Sequence, residues 1–357
     1  MSKQTYHILG VMSGTSLDGI DLAELFFTFE NGHWTYEIGQ AETFPYPANW
    51  VAQLKSALTF SEMELQQINK DYTAYLGTVI FDFIQENSIT NLDAVCSHGH
   101  TILHQPHKGI TLQIGNLPEI ANLVKQTVVC DFRVQDVALG GQGAPLVPIG
   151  DRTLFAAYTY CLNLGGFSNV SFEHNGQRLA FDISPVNTVL NFYANKLGLQ
   201  YDESGKIAAS GKIIPELLET LNAFDYYQQS FPKSLGLEFV REKVLPAMEK
   251  FTPSPADAMH TFIEHIAFQT AKALPTKKGK LLATGGGAYN TFLIERIQSY
   301  LPEMELIIPD AKTLEFKEAL IFGLLGVLRL RNEINVLASV TGAERDHCSG
   351  RIYYYNL

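Results

Sequence analysis

A chain of 357 residues holds one to three domains at roughly 100–200 residues each, and two of comparable size is the first expectation. Hydrophobic residues make up 46% and charged residues 18%, ordinary globular usage that excludes a disordered chain, a collagen-like fibre and a disulfide miniprotein. Acidic residues outnumber basic ones by 37 to 26, a formal net charge of −11. Such a surface repels phosphate backbones and anionic headgroups, and no block of Lys and Arg offers a local exception, so neither nucleic acid nor a membrane is an expected partner.

The cysteines, Cys96, Cys130, Cys161 and Cys348, lie far apart with no CxxC pairing. That disfavours a disulfide framework or a zinc site and fits reduced thiols in a cytosol. The N-terminus passes directly into an apolar strand pattern without the regions of a signal peptide. The longest apolar run, Ala319–Leu328, is about half a membrane span. A cytoplasmic protein is expected.

Strand-like and helix-like segments alternate along the chain. Residues 7–12 read as a short buried strand and 21–30 as a second, with the polar turn Ser13-Gly14-Thr15-Ser16-Leu17-Asp18-Gly19 between them. Residues 34–44 supply a third strand, an antiparallel opening unlike the strand-to-helix start of a dinucleotide fold. A helix over 61–86 and a strand over 94–98 follow. A second cycle begins near Tyr158: strand 160–164, the turn Gly165-Gly166-Phe167-Ser168-Asn169, strand 170–173 and strand 179–183. Helices are expected over 186–197, 215–221 and 257–274, then strand 280–284 closing on Gly285-Gly286-Gly287-Ala288-Tyr289-Asn290, and an apolar helix over 318–329. Strand, glycine turn, strand thus occurs twice, a repeat of architecture and not of sequence.

The first turn offers hydroxyls and open backbone N–H groups of the kind that bind phosphate oxygens. Its Asp18, with Asp21, adds carboxylates able to hold Mg²⁺ through water. The same composition also suits a tight hairpin chosen only for backbone geometry. Asn163, Gly165 and Gly166 repeat the chemistry. Three successive glycines at 285–287 cost roughly 0.5–1 kcal/mol each relative to Ala, which a flat ligand such as an adenine lying against the chain would explain; a flexible loop is the alternative. Together the three turns favour a nucleotide clamped between two lobes.

Asp182 ends an apolar strand ahead of Ser184-Pro185 and is placed either to project its carboxylate into the interlobe space or to cap the next helix, a task open equally to Asn187 and Thr188. Glu318 is expected to open a helix, where a carboxylate is favourable. His98, His100, His104 and His107 lack the Cys or acidic neighbours of a zinc site, so hydrogen-bonding roles are expected of them. Arg133 is suited to gripping a substrate carboxylate or to pairing with Asp131 or Asp136; it precedes the donor-rich loop Gly140-Gly141-Gln142-Gly143-Ala144-Pro145.

These motifs resemble one family, the 1,6-anhydro-N-acetylmuramic acid kinases of the sugar kinase, actin and heat-shock chaperone superfamily. The resemblance rests on residues 10–21, Ser97-His98-Gly99-His100-Thr101, Leu112-Gln113-Ile114-Gly115, Asp131-Phe132-Arg133, residues 140–148, Asn163-Leu164-Gly165-Gly166, residues 285–290, Glu318-Ala319 and Val340-Thr341-Gly342-Ala343, in order along nearly the whole chain. It implies two α/β lobes of the ribonuclease-H-like, actin-like ATPase type with an interlobe nucleotide cleft, the N-terminal lobe over 1–130, joined by 346–357, and the C-terminal lobe over 131–345. It implies ATP and Mg²⁺ as cofactors and a homodimer. The reaction implied, part of peptidoglycan recycling, opens the 1,6-anhydro bridge with water and phosphorylates O6 to give N-acetylmuramic acid 6-phosphate and ADP.

For this sequence the resemblance assigns ATP to Gly14, Thr15, Ser16, Leu17, Asp18, Gly19, Ile20 and Asp21, with Asn163, Gly165, Gly166, Gly285, Gly286, Gly287 and Asn290. It makes Asp182 the general base, with Glu318 a second acidic residue of the site, and gives the sugar Ser97, His98, Arg133 and Gln142. The chain departs from the family pattern beside the base, reading Phe181-Asp182-Ile183-Ser184-Pro185-Val186-Asn187 where Thr, Gly and Gly are usual at 183, 184 and 186. It also reads Leu235 and Leu237 where Thr and Arg are usual, and His100 where Gln is usual.

Overall fold

The computed structural model describes residues 3–14 and 16–355. The chain divides into two compact units, Met1–Leu154 with Glu315–Leu357, and Phe155–Leu314. The change of unit therefore falls at 154/155 and the return at 314/315, not near 130 and 346 as expected from sequence.

In the first unit β1 (Thr5–Ser13), β2 (Ile20–Glu30) and β3 (His33–Phe44) form an antiparallel meander. Next to β1 and parallel to it runs β4 (Ala94–Gln105), followed by β6 (Val128–Cys130), also parallel. The strand β5 (Ile110–Ile114) folds back on the far half of β4, and β12 (Arg351–Tyr353) closes the other edge beside β6. The expected strand over 94–98 is thus longer: the chain stays extended to Gln105 because β5 pairs with it.

β1 is a nearly unbroken buried run, the pattern of a strand covered on both faces. Leu9 and Val11 join a core with Tyr72, Leu76, Ile80 and Phe83 of the helix Glu62–Glu86. That helix starts where Ser61 and Glu64 form a reciprocal capping box. Gly10 faces the opposite side, where the helix Ala311–Leu330 passes so close that its Ala319 carbonyl oxygen fills the space a Cβ would need. The close packing of this helix on the first sheet returns the chain to the first unit. The helix begins at Ala311, seven residues before the expected start, and bends at Phe316 (φ −106°, ψ 16°), so Glu318 lies in the first turn after the bend.

In the second unit β7 (Tyr160–Leu164), β8 (Phe167–His174) and β9 (Gln177–Pro185) form the meander. On its other side β10 (Gly279–Thr284) runs parallel to β7, and β11 (Met304–Ile307) parallel to β10. The helices Pro255–Ala273 and Asn187–Asn195 pack on this sheet through Phe262, Ile263, Ile266, Val189 and Leu190.

Both sheets share one order. Three antiparallel strands are followed by two parallel ones added beside the first, giving β3-β2-β1-β4-β6 and β9-β8-β7-β10-β11. This is the ribonuclease-H-like topology, present twice, and the two strand–turn–strand segments seen in the sequence are its two β-meander starts.

Candidate active site

The loop between β1 and β2 is built by local hydrogen bonds. Ser16 Oγ donates to Asp18 Oδ1 at 2.6 Å, and Leu17 takes a left-handed conformation, φ 62°. Thr15 lies outside the described residues. Asp18 is exposed, whereas Asp21 is half-buried and accepts from Thr43 Oγ1 at 2.6 Å. Burial raises the Asp21 carboxyl above its ordinary range, opposed by the Thr43 bond and reinforced by the charges of Asp18 and Glu315. A hydrated divalent cation beside Asp18 and Asp21 would relieve that repulsion, so the donor set fits Mg²⁺ held through water. Among the described residues no group of three or more His, Cys, Asp or Glu side chains is arranged to bind a metal directly. Gly19 lets β3 pass, since a Cβ there would meet the Phe44 carbonyl oxygen at 2.6 Å. Ile20 buries its side chain in the core, leaving only its backbone for a ligand.

Ser13, which ends β1, bonds Tyr46 Oη at 2.6 Å and His100 Nδ1 at 2.8 Å. Tyr46 Oη in turn bonds Tyr72 Oη. Burial pulls the His100 pKa down to about 4, so the ring is neutral and serves this buried chain as a hydrogen-bonding group.

Arg133 is the most constrained of the expected sugar residues. Its Nε donates to His98 Nε2 at 2.8 Å and its Nη1 to the Gly143 carbonyl at 2.6 Å. His98 Nδ1 donates to the Gly99 carbonyl at 2.9 Å, because Nε2 must be the acceptor for a guanidinium that only donates. Both ring nitrogens are therefore occupied, and His98 acts on any ligand through Arg133. Burial, then the Arg133 charge, holds the His98 pKa well below normal. Ser97 is fully buried and its hydroxyl accepts the Gly99 N–H at 3.1 Å. Gln142 is exposed, with its own N–H bonded to the Thr341 carbonyl at 2.8 Å. The loop is pinned by Asp136, which accepts from Gly143 N at 2.6 Å and Thr341 Oγ1 at 2.7 Å. Arg133 does not pair with Asp131, which bonds Arg351 Nε at 3.0 Å instead.

Glu318 keeps accessible surface, yet the protein packed around it raises its carboxyl, offset first by Arg133 and reinforced by Asp21. Turn, arginine and glutamate thus form one electrostatic group in the first unit.

In the second unit the two glycine turns lie together. Gly285 has φ 83°, and a Cβ on it would meet Asn163 Oδ1 at 2.6 Å and the Leu164 carbonyl at 2.9 Å. The Gly166 carbonyl accepts from Val186 N at 2.8 Å and Thr188 Oγ1 at 2.7 Å. Gly286 is exposed, while Gly165 and Asn163 are half-buried. Asn290 uses its side chain to cap the helix Thr291–Tyr300, accepting from Leu293 N at 3.0 Å.

Asp182 does not cap the following helix, whose N-cap is Val186 without a side-chain bond. The segment 226–235 holds it instead. Asp182 Oδ2 accepts Leu235 N–H at 2.8 Å, its carbonyl accepts Tyr226 Oη–H at 2.6 Å, and its N–H donates to the Lys233 carbonyl at 3.1 Å. Burial raises its carboxyl, opposed by the Leu235 bond. A carboxylate with a raised pKa, whose Oδ1 has no hydrogen-bond partner among the described residues, can take a proton from water. Tyr226 lies in no motif, and although the family pattern marks position 235, nothing in the sequence shows that its backbone N–H is the group that holds Asp182.

The family model for anhydro-N-acetylmuramic acid kinase matches residues 6–355. An anhydro-N-acetylmuramic acid kinase of Mannheimia succiniciproducens is 35% identical, covering 99% of this chain and 100% of that one. Another, from Variovorax paradoxus, is 35% identical over 97% and 98%. Among solved structures, the (R)-2-hydroxyglutaryl-CoA dehydratase component A of Acidaminococcus fermentans matches with TM-score 0.44 and 12% identity over 89% of this chain and 96% of that one. With a family match running from β1 to the residues beyond β12, and full-length relatives at about a third identity, the chain belongs to the anhydro-N-acetylmuramic acid kinases.

Proposed function

We propose that this protein uses ATP to open 1,6-anhydro-N-acetylmuramic acid and phosphorylate it at O6. Family membership over the whole chain supports the reaction, and the held, pKa-raised carboxylate of Asp182 is the observation that supports a base for it. In the proposed step Asp182 takes a proton from water as the water oxygen bonds to C1. The C1–O6 bond breaks, and O6 takes the γ-phosphoryl group as its bond to ADP breaks. The Gly14–Asp21 loop would receive the phosphates on backbone N–H groups. Asp18 and Asp21 would hold a hydrated Mg²⁺, which neutralises phosphate charge when bound. The glycines at 285–287, with Asn163, Gly165 and Gly166, would accept the nucleoside. Arg133, oriented by His98 and the Gly143 carbonyl, would present a positive charge to the lactyl carboxylate of the sugar, with Gln142 as a further sugar contact and Glu318 as a second catalytic carboxylate.

Mass analysis of the products from ATP and the anhydrosugar tests this reading. A product heavier by one phosphoryl group plus one water supports it. ATP hydrolysis with the sugar unchanged, or phosphate added with the ring intact, overturns it. A cytoplasmic homodimer is the assembly we propose on family resemblance, and sedimentation of a monomer at micromolar concentration would overturn that part. No helix among the described residues is long and apolar enough to cross a membrane.

A further inference from the structure

The second unit contains a pocket of about 250 Å³ whose walls include Phe181, Gln229, Ser230, Phe231, Lys233 and Lys272. Phe181 and Phe231 stack, with ring centroids 5.4 Å apart and planes 8° from parallel. Two lysines line the pocket. Lys233 Nζ donates to the Tyr226 carbonyl at 3.3 Å, and Lys272 Nζ to the Tyr227 carbonyl and Gln228 Oε1, each at 3.2 Å. All three acceptors are neutral, and among the described residues neither lysine forms an ion pair with a carboxylate. Burial disfavours the charged form of Lys233, and repulsion from Lys272 adds to that. Lys233 is half-buried over the Tyr226 ring, 4.6 Å from its centroid, and Lys272 is exposed, so the pocket offers an anion one partly desolvated and one solvated positive charge.

We propose that this pocket binds a small phosphomonoester, its dianionic head on Lys233 and Lys272 and its organic part against the Phe181–Phe231 stack. Two ammonium groups match a dianion better than a single carboxylate, and a phosphate brings three acceptor oxygens for the lysines and the exposed Gln229 and Ser230. Successive strand residues point to opposite faces. Phe181 lines the pocket and is regularly paired with Val170, as Asp182 is with Asn169, ahead of the bulge at Ile183, so the Asp182 carboxylate lies on the other face of β9. The site is therefore separate from the one proposed for the anhydrosugar, and its existence does not depend on Asp182 being a base.

The test is lysine footprinting with sulfo-NHS-acetate, read residue by residue by peptide mass spectrometry, with glucose 6-phosphate as the probe and acetate of equal ionic strength as the control. At a probe concentration four times Kd, modification of Lys233 and Lys272 slows about fivefold, while the exposed Lys278 and Lys280 are unchanged. In Lys272→Met the protection of Lys233 is lost. Equal protection by acetate, no protection of either lysine, or unchanged protection of Lys233 in Lys272→Met would each overturn the proposal.

Discussion

The backbone N–H of Leu235 donates to Asp182 Oδ2 at 2.8 Å, so the residue that replaces the family's threonine still holds the carboxylate without using its side chain. Asn at 182 can accept the same bond through its side-chain oxygen but cannot take a proton from water. Asp182→Asn should therefore retain the wild-type melting temperature and lose turnover by about 10²–10⁴-fold, with the KM for ATP within a few-fold. A folded variant with near-normal turnover would eliminate Asp182 as the base.

Arg133 spans two acceptors with a geometry that lysine cannot copy, reaching His98 Nε2 and the Gly143 carbonyl from different guanidinium nitrogens. Arg133→Lys keeps the charge and loses at least one of these bonds, and a hydrogen bond from a charged group is worth about 1.5–3 kcal/mol. We expect a lower urea midpoint and about a tenfold or larger fall in kcat/KM for the anhydrosugar, while the KM for ATP stays within a few-fold. Unchanged sugar kinetics would remove Arg133 from the sugar site.

The sequence shows the meanders because antiparallel β1–β2–β3 and β7–β8–β9 carry local alternation and turn residues, and local patterns need no knowledge of distant partners. It does not show that β4 continues to Gln105, because its second half is held extended by β5, which lies later in the chain. The unit boundary is missed for a similar reason. The stretch Ala319–Leu328 within the helix Ala311–Leu330 is apolar all round, and it takes contacts such as those of Ala319 with Gly10 and Gly323 with Leu25 to show which sheet the helix covers. Asp182 and Arg133 are legible as chemistry-bearing residues. Arg133 is held from motifs the sequence displays, through the His98 ring and the Gly143 carbonyl, whereas Asp182 is held by a backbone N–H and a tyrosine hydroxyl more than forty residues away, partners whose pairing leaves no signature.

Gly10 is a site where a single methyl group should be costly. Its neighbour across the sheet face is the Ala319 carbonyl, a backbone atom inside a helix that cannot rotate away as a side chain can. Gly10→Ala must displace that helix or bend β1, and overpacking of this kind costs about 1–3 kcal/mol. The loss should appear as a lower urea midpoint with unchanged slope. Gly32→Ala is the comparison, since its Cβ would meet no atom within 4 Å and the penalty there arises from φ 82° alone. Gly10 is not at positive φ, so a Gly10→Ala protein as stable as wild type would mean that the Ala319 contact carries no weight.

Asp131 gives a pH dependence whose sign can be worked out. Burial raises its carboxyl from 3.8 to about 6, only partly opposed by Arg351, so the folded chain holds this proton more tightly than the unfolded one. The stability that Asp131 contributes is then fully present below about pH 4 and is lost as pH rises through 6. At 1.36 kcal/mol per pKa unit the loss is roughly 2–3 kcal/mol. Asn suits the position because φ is 60° at residue 131, a left-handed conformation that Asn tolerates. The ion pair given up is with a largely exposed arginine and is worth about 0–1 kcal/mol. Urea unfolding of wild type and Asp131→Asn at intervals from pH 4 to 7 should therefore show wild type losing stability relative to the variant, with most of the change between pH 4 and 6.5. A difference between the two proteins that stays constant across this range would mean that the Asp131 carboxylate is fully compensated in the fold.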